Sequence, residues 1–137
     1  MNLEIVNPPE LAPPKGWNHG LVAPAGARIL FIAGQAGWES GDPGEPAGFA
    51  AQFARALDKV LAVIQGAGGR PEDLVRLTVY VTDLAEYRAS LQALGEGWRA
   101  RFGKHYPAMA LVQVSGLVDR GARVEMEGTA ALPGDAR

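Results

Sequence analysis

Two stretches of helical periodicity, separated by one of strand periodicity, constrain the fold of this chain more than any other feature. In 49–67, Phe49, Phe53, Leu57, Val60, Ile64 and Ala67 recur every three or four positions, which puts one apolar stripe on one side of a helix. Gly68-Gly69 supplies a C-terminal stop and Pro71 prevents continuation. The period then falls to two: Val75, Leu77, Val79 and Val81 alternate with Arg76, Thr78 and Tyr80, as in a strand with distinct faces. Asp83, with Glu86 three residues on, is placed as an N-cap for a second stripe formed by Leu84, Tyr87, Leu91, Leu94, Trp98 and Phe102. Gly95 and Gly97 interrupt that helix, each at about 1 kcal/mol relative to Ala. A helix with a single apolar stripe must bury it against one neighbouring layer, so both helices are expected on one face of a sheet.

The remaining segments supply the other strands. Leu3, Ile5 and Val6 precede Pro8, Pro9, Pro13 and Pro14, which suits a short edge strand or extended arm followed by a loop. Residues 19–23 and 28–33 read as a hairpin around Pro24-Ala25-Gly26, its second strand almost continuously apolar and therefore central. Residues 37–48, GWESGDPGEPAG, hold too many breakers for regular structure and are expected as a loop beside the mouth of any cleft. Residues 109–114 and 124–131 read as a second hairpin around Asp119, Arg120 and Gly121. The result is an α+β chain, a mixed β-sheet with two helices packed on one face. On the last strand Val124, Met126, Gly128 and Ala130 share one side, while Arg123, Glu125, Glu127 and Thr129 share the other. If the first set packs under the helices, the second points away from them.

Composition narrows the function. A chain of 137 residues is the size of one domain, so a single domain over 1–137 is expected. No apolar run approaches the roughly 20 residues that cross a bilayer, and the N-terminus lacks a basic region before an apolar core, so a soluble cytoplasmic protein without a membrane partner is expected. There is no cysteine, which removes disulfides, thiolate nucleophiles and cysteine metal ligands together. Thirteen basic against fifteen acidic residues give a net charge of -2, the wrong sign for a nucleic-acid partner held through phosphates. The densest basic group, Arg99, Arg101 and Lys104, sits where cations complement a helix C-terminus. His19 and His105 are the only histidines and neither has ligand spacing, so no metal is expected. None of Ser40, Ser90 and Ser115 lies in a Gly-x-Ser-x-Gly elbow, and 37–48 lacks the Gly-Lys-Ser/Thr ending of a phosphate loop. No cofactor is implied.

Residues 107–127, PAMALVQVSGLVDRGARVEME, resemble the C-terminal signature of the Rid family, the RidA-like reactive-intermediate deaminases also labelled endoribonuclease L-PSP. Pro107, Ala108, Ala110, Val112, Ser115, Leu117, Val124, Glu125 and Met126 fall into that signature in order, and Phe31-Ile32-Ala33-Gly34-Gln35 is similar to the family strand ending in Ser-Gly-Gln. The resemblance runs from Pro14 to Ala131 and implies a chorismate mutase-like, RidA-like fold that closes with two further copies into a homotrimeric barrel. It also implies small-molecule ligand clefts at the subunit boundaries, and cofactor-free hydrolysis of imines or enamines to 2-oxo acids and ammonia. The position of the family's carboxylate-binding Arg holds Met109, which has no donor to offer in place of a bidentate guanidinium. Glu125 stands where the family's Glu holds the attacking water, and is the expected catalytic residue; the alternative for it is a structural ion pair with Arg76 or Arg123. Trp17 replaces a Tyr and Ala33 a Ser, while Gly34 and Gln35 keep the pattern, Gly34 serving either close ligand approach or backbone conformation. Trp17, Ala33, Gly34 and Met109 are thus the expected ligand contacts. Two other readings stand beside the deaminase-like one: a non-catalytic scaffold with a vestigial cleft, and an endoribonuclease, against which the acidic balance counts.

Overall fold

The computed structural model describes residues 2–134. Its elements are β1 (Glu4–Val6), β2 (Gly20–Val22), β3 (Arg28–Ala36), α1 (Phe49–Gly66), a 3-10 turn (Pro71–Asp73), β4 (Leu74–Val81), α2 (Leu84–Ala89), α3 (Leu91–Phe102), β5 (Ala108–Gln113) and β6 (Val124–Leu132). The stripe on α1 buries Phe49, Phe53, Leu57, Val60 and Ile64. Where α1 stops, Gly68 takes a φ of +81° that costs a glycine nothing, and the amides of Gly68 and Gly69 donate to Gln65 O and Ile64 O, each at 2.9 Å.

The four-stranded sheet has the order β3-β6-β4-β5, with β6 antiparallel to both neighbours and β5 parallel to β4, so it is mixed as expected. Leu77, Val79 and Val81 of β4 and Val124, Met126 and Ala130 of β6 are fully buried beneath α1 and α3. Fully burying a side chain of this size is worth about 1.5–3 kcal/mol, which is why these strands occupy the middle of the sheet. The helices lie on one face only. From α3 the guanidinium of Arg101 reaches Asp58 of α1 at 2.6 and 3.2 Å, fixing the two helices side by side, and Asp58 raises the Arg101 pKa further.

Neither expected hairpin forms. β2 pairs with β1 in a separate two-stranded sheet, turning the N-terminal arm into structure, while β3 pairs with β6 alone and so lies at the sheet edge, not at its centre as its apolar run suggests. β5 and β6 are not neighbours either: the α2–α3 crossover returns the chain parallel to β4 at the sheet edge, and residues 114–123 then carry it back so that β6 inserts between β3 and β4. The reason is burial. Val124, Met126 and Ala130 are fully buried and need strands on both sides, which a terminal hairpin cannot give. The second helix is also divided, at Ser90, whose hydroxyl donates to Glu86 O at 2.8 Å and bends the chain there.

The opposite face of the sheet has no cover among the described residues. Arg76, Thr78 and Tyr80 of β4 lie beside Thr129, Glu127 and Glu125 of β6 on this face. Of the apolar run on β3, Leu30 packs toward the core, whereas Ile29 and Phe31 face outward, Phe31 with 80% of its surface exposed.

Candidate functional site

The first group of predicted residues assembles at the β5 edge. Met109 pairs with Leu77 and Leu111 with Val79, so both take the helix side of the sheet, where each packs half-buried against the core. Trp17 reaches the same place through the loop before β2. Gly16 has a φ of +78°, which turns the chain, and Asn18 stitches it down: its amide donates to Pro107 O at 3.1 Å and its side chain to Tyr106 O at 2.6 Å. The Trp17 ring packs edge-on to His19, centroids 4.6 Å apart, and His19 Nε2 lies 2.7 Å from Ala12 O. The outcome is a cleft of about 820 Å³ between α3 and β5, walled by Trp17, Leu91, Leu94, Trp98, Met109 and Leu111. It is an apolar pocket of the size that takes small molecules.

The second group lies across the sheet. Between Ile32 and Gln35 the β3 strand carries one residue more than β6 does between Gly128 and Met126, so Ala33 and Gly34 form a bulge. Glu125 pairs with Tyr80 on β4 and lies on the uncovered face. A Cβ added to Gly34 would fall 2.4 Å from Glu125 Oε2 and 3.0 Å from its Cδ. Gly34 therefore has a steric task outside the two alternatives expected of it: it is the floor on which the Glu125 carboxylate rests. Glu125 accepts no hydrogen bond and joins no ion pair among the described residues. The anticipated partner Arg123 binds Glu86 of α2 instead, and the four ion pairs of the described residues leave out Arg76. A carboxylate unburdened by a cation retains its lone pairs for water.

Next to it, the Tyr80 hydroxyl donates to Glu127 Oε1 at 2.5 Å. That bond, with smaller contributions from desolvation and the nearby carboxylates, holds the Tyr80 phenol above its ordinary value of 10.0. Glu127 is thus engaged structurally while Glu125 is free.

Sequence reasoning missed Gln52. It is 1% exposed on α1, yet fully bonded: Nε2 donates to Ala47 O and Gly121 O, each at 2.9 Å, and Oε1 accepts from the Arg123 amide at 2.8 Å. Gln52 thereby pins the turn that starts β6 two residues before Glu125. Its only trace in the sequence is a polar residue beside the apolar stripe. The 37–48 loop is irregular as expected but lies against this turn, with Ser40 N donating to Asp119 Oδ1 at 3.0 Å, and contributes nothing to the Met109 cleft. Its position follows from Gly121, where a Cβ would meet Pro46 and Trp38. His105 Nε2 contacts Leu74 O at 2.6 Å, so both histidines are engaged with backbone carbonyls. No group of three or more potential metal ligands occurs among the described residues, and no described helix is long and apolar enough to cross a membrane.

Trp17 and Met109 therefore stand on one side of the sheet, and Ala33, Gly34 and Glu125 on the other. Within one chain the two groups of expected residues do not meet.

The family described as Endoribonuclease L-PSP matches residues 9–132. The 2-iminobutanoate/2-iminopropanoate deaminase of Escherichia coli (strain K12) is 34% identical over 85 residues, 62% of this chain and 65% of that protein, so the match spans just under two thirds of the relative's length. The protein of the same name from Bos taurus is 29% identical over 107 residues, covering 75% of this chain and 72% of its own. Among solved structures, a Rid-family protein of unknown function from Yersinia pestis superposes with a TM-score of 0.79 at 29% identity, over 96% of this chain and all (100%) of that one. RidA from an Antarctic Psychrobacter gives a TM-score of 0.63 at 28% identity, over 88% and 92%. A match that runs through every strand of the four-stranded sheet and takes in both groups of residues makes this chain a member of the Endoribonuclease L-PSP family, the Rid proteins.

Proposed function

We propose that the protein is a RidA-like homotrimer that binds a small metabolite in clefts between subunits and hydrolyses it at a carbon-nitrogen centre without a cofactor. The observation that carries this is the placement of the half-sites on opposite faces of one sheet. A complete site then needs the Trp17–Met109 edge of one copy set against the Ala33–Gly34–Glu125 face of the next. Such a head-to-tail contact closes into a ring, and it covers Phe31, which is otherwise a large exposed apolar side chain. In each cleft Glu125 orients the attacking water, Gly34 sets the carboxylate, and Trp17 and Met109 hold the ligand body. With Met109 in the anchor position, short 2-imino acids lose a bidentate partner worth about 1.5–3 kcal/mol, or roughly tenfold to a hundredfold in affinity. The activity for which the Escherichia coli relative is named, on 2-iminobutanoate and 2-iminopropanoate, is thus expected to be weak here.

Subunit mixing tests the arrangement. Glu125→Gln and Trp17→Ala each damage every cleft of a uniform ring, but a mixed trimer has one cleft with both halves native. Unfolding and reassembling the two variants together in equal amounts should restore about a quarter of the wild-type turnover, because three quarters of random trimers are mixed and each has one intact cleft of three. No recovery would refute a shared site. Introducing Met109→Arg should raise hydrolysis of short 2-imino acids at least tenfold if the rest of the cleft is competent. The scaffold reading draws on the same Met109 packing against the core. It predicts that no metabolite shifts the melting temperature, since only a ligand bound to the folded state does so.

A further inference from the structure

The Met109 cleft has lost an anion anchor on its strand wall, yet its rim carries charge of one sign. Lys15 and Arg99 both line it, and no acidic residue does. Neither cation has a hydrogen bond or ion pair among the described residues, a condition they share with Arg76, whereas Arg101, two residues on in α3 and on another face, is held by Asp58. On a chain with a net charge of -2, a cleft wall that one copy lines with two uncommitted cations and no acid is a local reversal of sign.

The helix backbone favours this placement of Arg99. A Cβ on Gly95 would lie 3.2 Å from Arg99 Nη1 and 3.8 Å from Cζ, so the guanidinium folds back over the glycine, and Gly95 itself lines the cleft. A glycine inside a helix is unfavourable, and here the space without a side chain is where the cation rests. A place in the last turn of α3 explains why a cation is tolerated there, since it complements the helix dipole. Helical side chains tilt toward the N-terminus, so Arg99 turns back over Gly95 as Arg101 does over Gly97, and on its face of α3 that carries the guanidinium to the cleft.

We propose that this cleft binds an amphipathic monocarboxylate, its aromatic or long aliphatic body against Trp17, Leu91, Met109 and Leu111 and its carboxylate held at the rim by Arg99 and Lys15. The carboxylate anchor has moved from the strand to α3 and the loop before β2, and the vacated position is apolar because it meets the ligand body. The proposal rests on the reading of this cleft as a ligand half-site, and it names the ligand class for that site. Arg99 supplies planar paired donors and Lys15 a mobile point charge, a combination that selects for charge at the rim and tolerates variation in the body.

Three probes separate the parts of the claim: 4-phenylbutanoate, its uncharged amide, and propanoate. Binding is read by calorimetry and by quenching of tryptophan fluorescence, since Trp17 and Trp98 both line the cleft. At low salt the phenyl acid should bind about tenfold more tightly than the amide, because a charge-assisted hydrogen bond exceeds a neutral one. That preference should shrink as ionic strength rises and vanish in Lys15→Gln/Arg99→Gln, both positions being exposed so that folding is not at stake. Propanoate should bind at least tenfold more weakly than the phenyl acid. Equal binding of acid and amide would overturn the anchor, as would an undiminished preference in the double variant. Propanoate binding as tightly as the phenyl acid would overturn the apolar body. An acid preference that persists in Glu125→Gln, with no imine turnover in the wild type, would leave this inference standing while removing catalysis from the proposed function.

Discussion

Gly34→Ala isolates the task assigned to Glu125 from the stability of the fold. Gly34 has no positive φ, so alanine can adopt its backbone conformation without strain. The added Cβ would lie 2.4 Å from Glu125 Oε2, about 1 Å inside the roughly 3.5 Å at which non-bonded atoms attract. The atom struck is the far end of a flexible side chain, so the carboxylate swings away and the backbone keeps its place. An off-rotamer side chain costs about 0.5–1.5 kcal/mol, and replacing a strand glycine by alanine returns about 0.5–1 kcal/mol, so the two nearly cancel. The melting temperature is therefore expected to move by no more than a few degrees. Function responds differently. A positioned acid-base group contributes about a hundredfold to ten-thousandfold, and a displacement of about 1 Å can remove about a hundredfold.

The assay is turnover of imines generated in situ by an amino-acid oxidase, in the native chain and in the Met109→Arg background, alongside Glu125→Gln. We expect Gly34→Ala to lose about a hundredfold in kcat/KM with little change in stability. Gly34→Ala/Glu125→Gln should be no worse than Glu125→Gln alone, because both changes act through one carboxylate. Full activity in Gly34→Ala, or fully additive losses in the double variant, would refute the assignment of Gly34 as the seat of Glu125.

Gln52→Leu should destabilise the protein by about 3 kcal/mol in urea unfolding, because it removes three buried hydrogen bonds and leaves the Arg123 amide without its acceptor; a loss below about 1 kcal/mol would show that the turn holds itself. Tyr80 should ionise above 10.0 when tyrosinate absorbance is followed, and return toward that value in Glu127→Gln. The raised value means that the Tyr80–Glu127 bond adds stability below pH 10.0, lost as pH rises through the folded-state value; an unchanged titration in Glu127→Gln would remove Glu127 as the cause.

What the sequence made legible was what depends on near neighbours. The stripe of α1, the alternation of β4 and the two faces of β6 are each set by side chains within a few residues, and all three appear in the structure, although Ala67, Val75 and Gly128 are only half-buried and a bulge at the start of β4 buries Leu74 in place of Val75. Strand partnership depends on distant residues, and there the expectations failed. The apolar runs in β5 and β6 flank a Gly-containing turn as a hairpin would, but turn chemistry could not weigh it against the burial that β6 gains between β3 and β4. Gln52 was invisible for the same reason, since the backbone amide that donates to its Oε1 lies 71 residues along the chain.

The site shows the same division in a sharper form. Period two was enough to put Glu125 on the side of β6 away from the helices, and the structure bears that out. For Met109 the corresponding step needs the register of β5 on β4. Had β5 been the hairpin partner of β6, its outward side would have been chosen by that pairing; as the parallel neighbour of β4, it aligns Met109 with Leu77 and turns it under the helices. The sequence positions of the five expected residues say nothing of the faces they take. Once the faces are known, two residues belong to an apolar cleft with cations at its rim and three to an open sheet surface with a free carboxylate. Chemistry that uses both would have to cross from one copy of the chain to another, which is the contact that the proposed ring supplies.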